Sequence, residues 1–126
     1  ATRLRAGTSV AVWRATTFQD GQVVSEATLN LGFARTDALD RADVPAPPMP
    51  RPEQVPEVPY IAGVFPEFTQ HLSFRYGSGP MPLSGGAEGR SAGWVRFREL
   101  QRLDAPALIA YADSWPPALY MTLTSP

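Results

Sequence analysis

The chain has 126 residues and a net charge of −1, and all 11 of its basic residues are arginines. A charge so close to zero creates no strong field for nucleic acid or anionic membranes, so we expect neither as a partner. Cysteine is absent and histidine occurs once, which argues against disulfides, a thiolate nucleophile, a Ser-His-Asp triad and a metal site.

The sequence lacks any apolar stretch as long as a membrane span, and no signal peptide opens it. We therefore expect a cytoplasmic protein that needs neither a metal nor another cofactor. The first residue is Ala1 rather than Met, and the last, Pro126, follows an apolar run. We expect both ends to be cuts in a longer chain.

Residues 8–33 predict a long β-hairpin. Residues 8–18 are rich in Thr, Val, Trp and Phe, which suit a strand. Residues 23–33 alternate with period two, which is typical of a strand with one buried face. Asp20-Gly21 stands between the two segments and is a strong signal for a tight hairpin turn.

Residues 43–60 contain seven prolines. This density excludes a regular helix and a central strand, because proline lacks an N–H group and has a fixed φ. An extended, semi-stiff connector is the expected structure. A proline-rich ligand for an SH3-type domain is the alternative interpretation.

Two further strands are expected after the connector, over residues 65–76 and 90–100. The loop between them, residues 77–89, is rich in Gly, Ser and Pro but contains no phosphate-binding motif. In the second strand, period two places Trp94, Arg96 and Arg98 on one face. Residues 120–124 are expected to be extended.

Residues 103–119 contain the long helix of the chain. Asp104 is a suitable N-cap, Pro106 falls in the first turn, and Pro116-Pro117 ends the helix. The helix is apolar on nearly every side, so we expect other structure to wrap around it. Asp113 is the charge within it, and a carboxylate in such a place needs a partner or a function.

Several segments, taken in order, carry a family resemblance: Thr17 to Gly21, Trp94-Val95-Arg96, Tyr111-Ala112-Asp113 and Pro116-Pro117-Ala118-Leu119. Together they resemble the middle of an acyl-CoA thioesterase-like protein of the double hot-dog type. The resemblance implies an α+β hot-dog fold, in which a long curved antiparallel sheet wraps around one central helix. It assigns residues 1–42 to the last hairpin of a first unit, 43–62 to a proline-rich linker, and 63–126 to the strands and helix that open a second unit.

The resemblance also implies a function, the hydrolysis of acyl-CoA thioesters by the complete protein. Active members use an Asp in the second helix, which Asp113 matches, with a Thr and a Gln from later strands that have no counterpart here. We therefore expect the fold to be completed by a further chain segment or a homo-oligomer, or by the two half-units closing as one permuted hot-dog. The alternative function is that of a non-catalytic hot-dog module that binds acyl groups or serves in assembly.

The candidate site residues are Asp113 for catalysis and Trp94, Arg96 and Trp115 for substrate binding. A desolvated Asp113 can deprotonate the attacking water; alternatively it bonds Ser114 or nearby backbone N–H groups, or pairs with an arginine. Arg96, together with Arg98, can meet the phosphates of coenzyme A, or both can lie on a solvated strand face. The tryptophans can equally belong to a core, and the single histidine, His71, is expected at the surface.

Overall fold

The computed structural model describes residues 1–33 and 44–125. The chain divides into two compact units, Ala1–Asp43 and Val44–Pro126. The predicted end of the first segment at residue 42 and the start of the linker at residue 43 lie outside the described residues. Antiparallel strands and one α-helix make up the regular structure of the described part, as predicted for an α+β protein.

The first unit is a three-stranded antiparallel sheet in the order β1-β2-β3. Its strands are β1 (Thr2–Ala6), β2 (Val10–Gln19) and β3 (Gln22–Gly32). The predicted hairpin is confirmed, and Asp20 and Gly21 both have positive φ, 51° and 76°. Positive φ at both central residues is the mark of a type I′ turn, whose twist matches that of the strands. Strand β1 is an addition that the sequence pattern did not indicate.

The second unit contains a two-stranded antiparallel sheet and the helix. Its regular elements are β4 (Leu72–Ser78), β5 (Ala92–Phe97) and α1 (Ala105–Ser114). The predicted strand at 65–76 begins later than expected, because residues Glu67–His71 form a 3-10 helix. In that turn the Thr69 hydroxyl donates to the carbonyl of Pro66.

The prediction of an extended segment at 120–124 is wrong. Ala118–Met121 forms a 3-10 helix, and the N–H groups of Tyr120 and Thr122 donate to the carbonyls of Pro117 and Leu119. The turn buries the Met121 side chain completely. Tertiary burial of Met121 therefore outweighs the strand preference of the local sequence.

The two faces of the β4-β5 sheet are covered by different segments of the chain. Helix α1 covers one face, where Trp115 packs against Phe74 and Tyr76. The proline-rich segment, residues 44–62, covers the other: Trp94 Nε1 donates to the carbonyl of Pro50 at 3.0 Å. Alternate residues of each strand therefore face the helix and the proline-rich segment, because successive side chains of a strand point to opposite faces.

The proline-rich segment is held to the sheet by further contacts. Val58 pairs with Phe74 as an antiparallel bridge, Arg75 Nη1 donates to the carbonyl of Val55, and Val55 is buried. The structure therefore places residues 44–62 in the second compact unit. Their role as a linker between two hot-dog units stays a prediction.

Helix α1 has the predicted ends. The Asp104 carboxylate accepts a hydrogen bond from the Ala107 N–H at 3.1 Å, and the helix stops at Ser114 before Pro116. Its enclosure on every side is not found within the described residues, since Leu108 and Ile109 are 55% and 64% exposed. The two-stranded sheet covers only one flank of the helix, which explains the exposure.

Gly93 sets how closely α1 approaches the sheet. A Cβ atom at Gly93 would overlap the carbonyl oxygen of Arg75 and lie 2.6 Å from the Trp115 ring. Backbone atoms cannot yield as a flexible side chain can, so this strand position requires glycine. In contrast, a Cβ at Gly77 would meet only the flexible side chain of Met49, at 3.4 Å.

We predict that Gly93→Ala lowers the free energy of unfolding by about 3 kcal/mol, the upper range for overpacking. Gly77→Ala is the matched control and should change it by less than about 1 kcal/mol, since its methyl group makes an ordinary contact. Urea unfolding followed by circular dichroism measures both. Equal midpoints for the two variants would show that Gly93 does not limit the packing.

Candidate active site

A cavity of about 600 Å³ lies between the ends of β4 and β5 and the last turn of α1. We call it the Asp113 cavity. Its apolar wall includes Phe68, Leu72, Phe97 and Ala110. Its polar wall consists of Gln70, His71, Arg98, Glu99, Gln101, Asp113 and Ser114. The cavity thus combines an apolar surface with groups able to carry or accept a proton.

Asp113 lies on the wall of this cavity, but its side chain is exposed. The expectation of a desolvated carboxylate is therefore wrong for the described structure, because one flank of α1 is uncovered. The Ser114 hydroxyl donates to the carbonyl of Tyr111 and thus does not serve Asp113 as a donor. Asp113 forms no ion pair with any described residue. Two structural roles considered for it, a bond to Ser114 and a pair with an arginine, are therefore not found in the described part of the chain.

Arg98 lies on the same wall and is held at two points. Its Nε donates to the carbonyl of Gln70 at 2.9 Å, and its Nη1 donates to Glu57 Oε1 at 2.6 Å. Its backbone N–H also donates to the carbonyl of His71. A solvated strand face was one interpretation of this arginine in the sequence analysis. Its side chain is 40% exposed, and these contacts fix its guanidinium group beside the cavity.

Glu57 is shared by two arginines. Its second oxygen, Oε2, lies 3.2 Å from Arg75 Nη2, so the carboxylate bridges Arg75 and Arg98. The nearby Ser73 hydroxyl and the two guanidinium groups lower the pKa of Glu57, against an opposing effect of burial. Ser73 Oγ is buried without a hydrogen bond of good geometry to any described residue, so the arginine contacts are the better defined ones.

Trp94 and Arg96 line a second, smaller cavity of about 250 Å³. It lies beneath Pro52 and Glu53 and also includes Arg75. The structure therefore does not bring these two candidates together with Asp113. The physical reason is the alternation of β5, which directs Trp94 and Arg96 towards the proline-rich segment rather than towards α1.

Trp115 occupies a third environment, between α1 and the sheet. Its ring centroid lies 4.8 Å from that of Tyr76 and 6.1 Å from that of Phe74. Its Nε1 donates to the Ser91 hydroxyl at 3.1 Å. These contacts match the core position that sequence analysis gave as the alternative, and its role in substrate binding stays a prediction.

Sequence reasoning gave little weight to two residues of the site, Arg98 and His71, and none to Glu57. Glu57 stands in the proline-rich segment, 41 residues from Arg98.

Among residues 1–33 and 44–125, no three His, Asp or Glu side chains are placed to hold a metal ion. None of the helices in that part of the chain is long and apolar enough to cross a membrane.

Residues 42–126 match the family model of the acyl-CoA thioesterase C-terminal domain. The chain belongs to this family. The match begins two residues before the second compact unit, Val44–Pro126, and so covers all of that unit. It confirms the thioesterase-like resemblance that the sequence motifs indicated.

A solved structure supports the fold. The chain is similar to a conserved protein of unknown function with a hot-dog fold from Alicyclobacillus acidocaldarius, with 27% identity and a TM-score of 0.79. The similarity covers 98% of this chain and 45% of that one, so this chain spans less than half of that protein's length. The predicted hot-dog class is thus confirmed. No curated protein gives a significant match.

Burial between the sheet and Trp115 raises the pKa of Tyr76 to about 12. An unfolded tyrosine ionises near pH 10. Because the folded pKa is raised, the stabilisation is fully present below about pH 10 and is lost as the pH rises towards about 12.

We predict that the free energy of unfolding falls above about pH 10 in the wild-type chain and that Tyr76→Phe removes this part of the fall. Tyr120→Phe, which removes an exposed phenol, is the control and should retain it. Urea unfolding at a series of pH values, with phenolate absorbance of the folded chain, provides the measurement. An unaltered alkaline profile in Tyr76→Phe would contradict the assignment.

Proposed function

We propose that the complete protein hydrolyses acyl-CoA thioesters, with Asp113 as the catalytic base. The observation that carries this proposal is the position of Asp113 on the wall of a cavity of about 600 Å³ in a chain of the acyl-CoA thioesterase C-terminal domain family. Phe68, Leu72 and Phe97 give that cavity an apolar wall suited to an acyl chain.

The proposed reaction uses the carboxylate as a general base. Asp113 accepts a proton from a water molecule whose oxygen attacks the thioester carbonyl carbon. The tetrahedral intermediate then collapses, the C–S bond breaks, and the proton passes from Asp113 to the departing thiolate. The products are a carboxylic acid and coenzyme A with a free thiol.

The exposure of Asp113 bears on what completes the site. A water-filled surface weakens a general base, whereas a dry cavity strengthens the electrostatic interactions within it. We infer that the bound acyl group and a covering segment, from the rest of the protein or from a second copy, exclude water there. Residues 1–42 and 63–126 then belong to two successive hot-dog units joined by 43–62.

The alternative is a non-catalytic hot-dog module that binds acyl groups or serves in assembly. The exposed carboxylate of Asp113 favours it. Such a module would be stabilised against heat by acyl-CoA without releasing thiol. Trp94, Arg96 and Trp115 remain proposed substrate-binding residues under either function.

We predict that Asp113→Asn lowers the rate of thiol release from acyl-CoA by at least about 100-fold, the usual contribution of a general base. The matched control is Asp104→Asn, which makes the same chemical change at the other end of α1 and retains a good N-cap. The 126 residues contain no cysteine, and a blank without acyl-CoA corrects for any thiol elsewhere in the complete protein, so a thiol-reactive dye measures the released coenzyme A.

The assay uses the complete protein and a panel of acyl chain lengths. Equal turnover by Asp113→Asn and the wild type would eliminate the catalytic role of Asp113. Thermal protection by acyl-CoA without thiol release over the whole panel would instead establish the binding module.

A further inference from the structure

Arg98 is the arginine that lines the Asp113 cavity among the described residues. It follows directly after the end of β5 at Phe97. Its side chain is 40% exposed, so the guanidinium group is open to solvent, and we call this part of the cavity wall its mouth. The contacts to Gln70 and Glu57 hold the group in one orientation.

Those two contacts leave donors available. A guanidinium group carries five N–H donors, and the contacts to Gln70 and Glu57 use Nε–H and one N–H of Nη1. The remaining three, including both on Nη2, have no hydrogen-bond acceptor among the described residues. A planar fork of this kind matches the oxygens of a phosphate group.

Charges of both signs lie around Arg98. Glu57 is shared between Arg75 and Arg98, so one carboxylate faces two guanidinium groups and the cluster keeps one positive charge. The carboxylates of Asp113 and Glu99 lie on the cavity wall and repel a polyanion from the interior. A ligand with an apolar end and a phosphate-bearing end would therefore place its phosphates at the mouth.

We propose that Arg98 is a specificity-determining residue that binds a phosphate group of coenzyme A at the mouth of the Asp113 cavity. The inference rests on the proposed function, because acyl-CoA is the substrate that brings the phosphates. The proposal concerns Arg98 and not Arg96. Arg96 lies on the same strand face but lines the smaller cavity.

Titration calorimetry of the complete protein with coenzyme A tests the proposal. We expect Arg98→Gln to weaken the binding of coenzyme A about tenfold, the loss of one charge-assisted hydrogen bond. Binding of pantetheine, which has no phosphate, should be unchanged in the same variant. Arg90→Gln is the matched control, an exposed arginine that lines neither cavity, and should bind coenzyme A as the wild type does.

Two further variants separate binding from folding. Glu57→Gln removes the ion pair but keeps the guanidinium group, so it should retain coenzyme A binding within about threefold even if its melting temperature falls. Arg98→Lys keeps the charge without the fork and should bind with intermediate affinity. An Arg98→Gln variant that is folded by circular dichroism and binds coenzyme A like the wild type would overturn the proposal. A complete wild-type protein that binds no coenzyme A at millimolar concentration would overturn it as well.

Kinetics of the complete protein distinguish this inference from the proposed function. Arg98→Gln should raise KM for acyl-CoA about tenfold with kcat unchanged, since the contact is remote from the thioester. Full activity of Asp113→Asn would reject the catalytic role while leaving the Arg98 binding result intact. Thiol release by the wild type with an unchanged KM in Arg98→Gln would reject the Arg98 role alone.

Discussion

The approach of Trp115 to Gly93 is the constraint on which the second unit depends. The indole ring occupies the space that a side chain at position 93 would need, and it packs at the same time against Tyr76. Because Trp115 directly follows the end of α1, this contact fixes the last turn of the helix against the sheet. Asp113 lies in that turn, so its place on the cavity wall follows from the packing of an aromatic ring two residues away.

The opposite face of the sheet has an electrostatic anchor. Glu57 reaches from the proline-rich segment to Arg75 in the middle of β4 and to Arg98 just beyond β5. The same carboxylate therefore fastens the segment to the sheet and orients a guanidinium group at the Asp113 cavity. Partial exposure of all three side chains limits what these ion pairs add to stability, so their larger effect is on geometry.

Local chemistry explains which parts of the fold could be predicted from the sequence. The Asp20-Gly21 turn, the Asp104 cap and the stop at Pro116 depend on residues only a few positions apart. The exposure of Asp113 could not be predicted in this way, since an apolar pattern shows that a helix has a partner but not which flank it covers. The link between Glu57 and Arg98 spans 41 residues, and no local pattern marks a glutamate among prolines as a bridge.

The division of the predicted site between two cavities also has a simple cause. Period two correctly placed Arg96 and Arg98 on one face, but a face pattern does not show where the strand ends. Strand β5 ends at Phe97, so Arg96 remains beside the smaller cavity while Arg98 reaches the carbonyl of Gln70 at the edge of the sheet. One residue beyond the strand is therefore enough to place an arginine at the mouth of the cavity that Asp113 lines rather than at the smaller one.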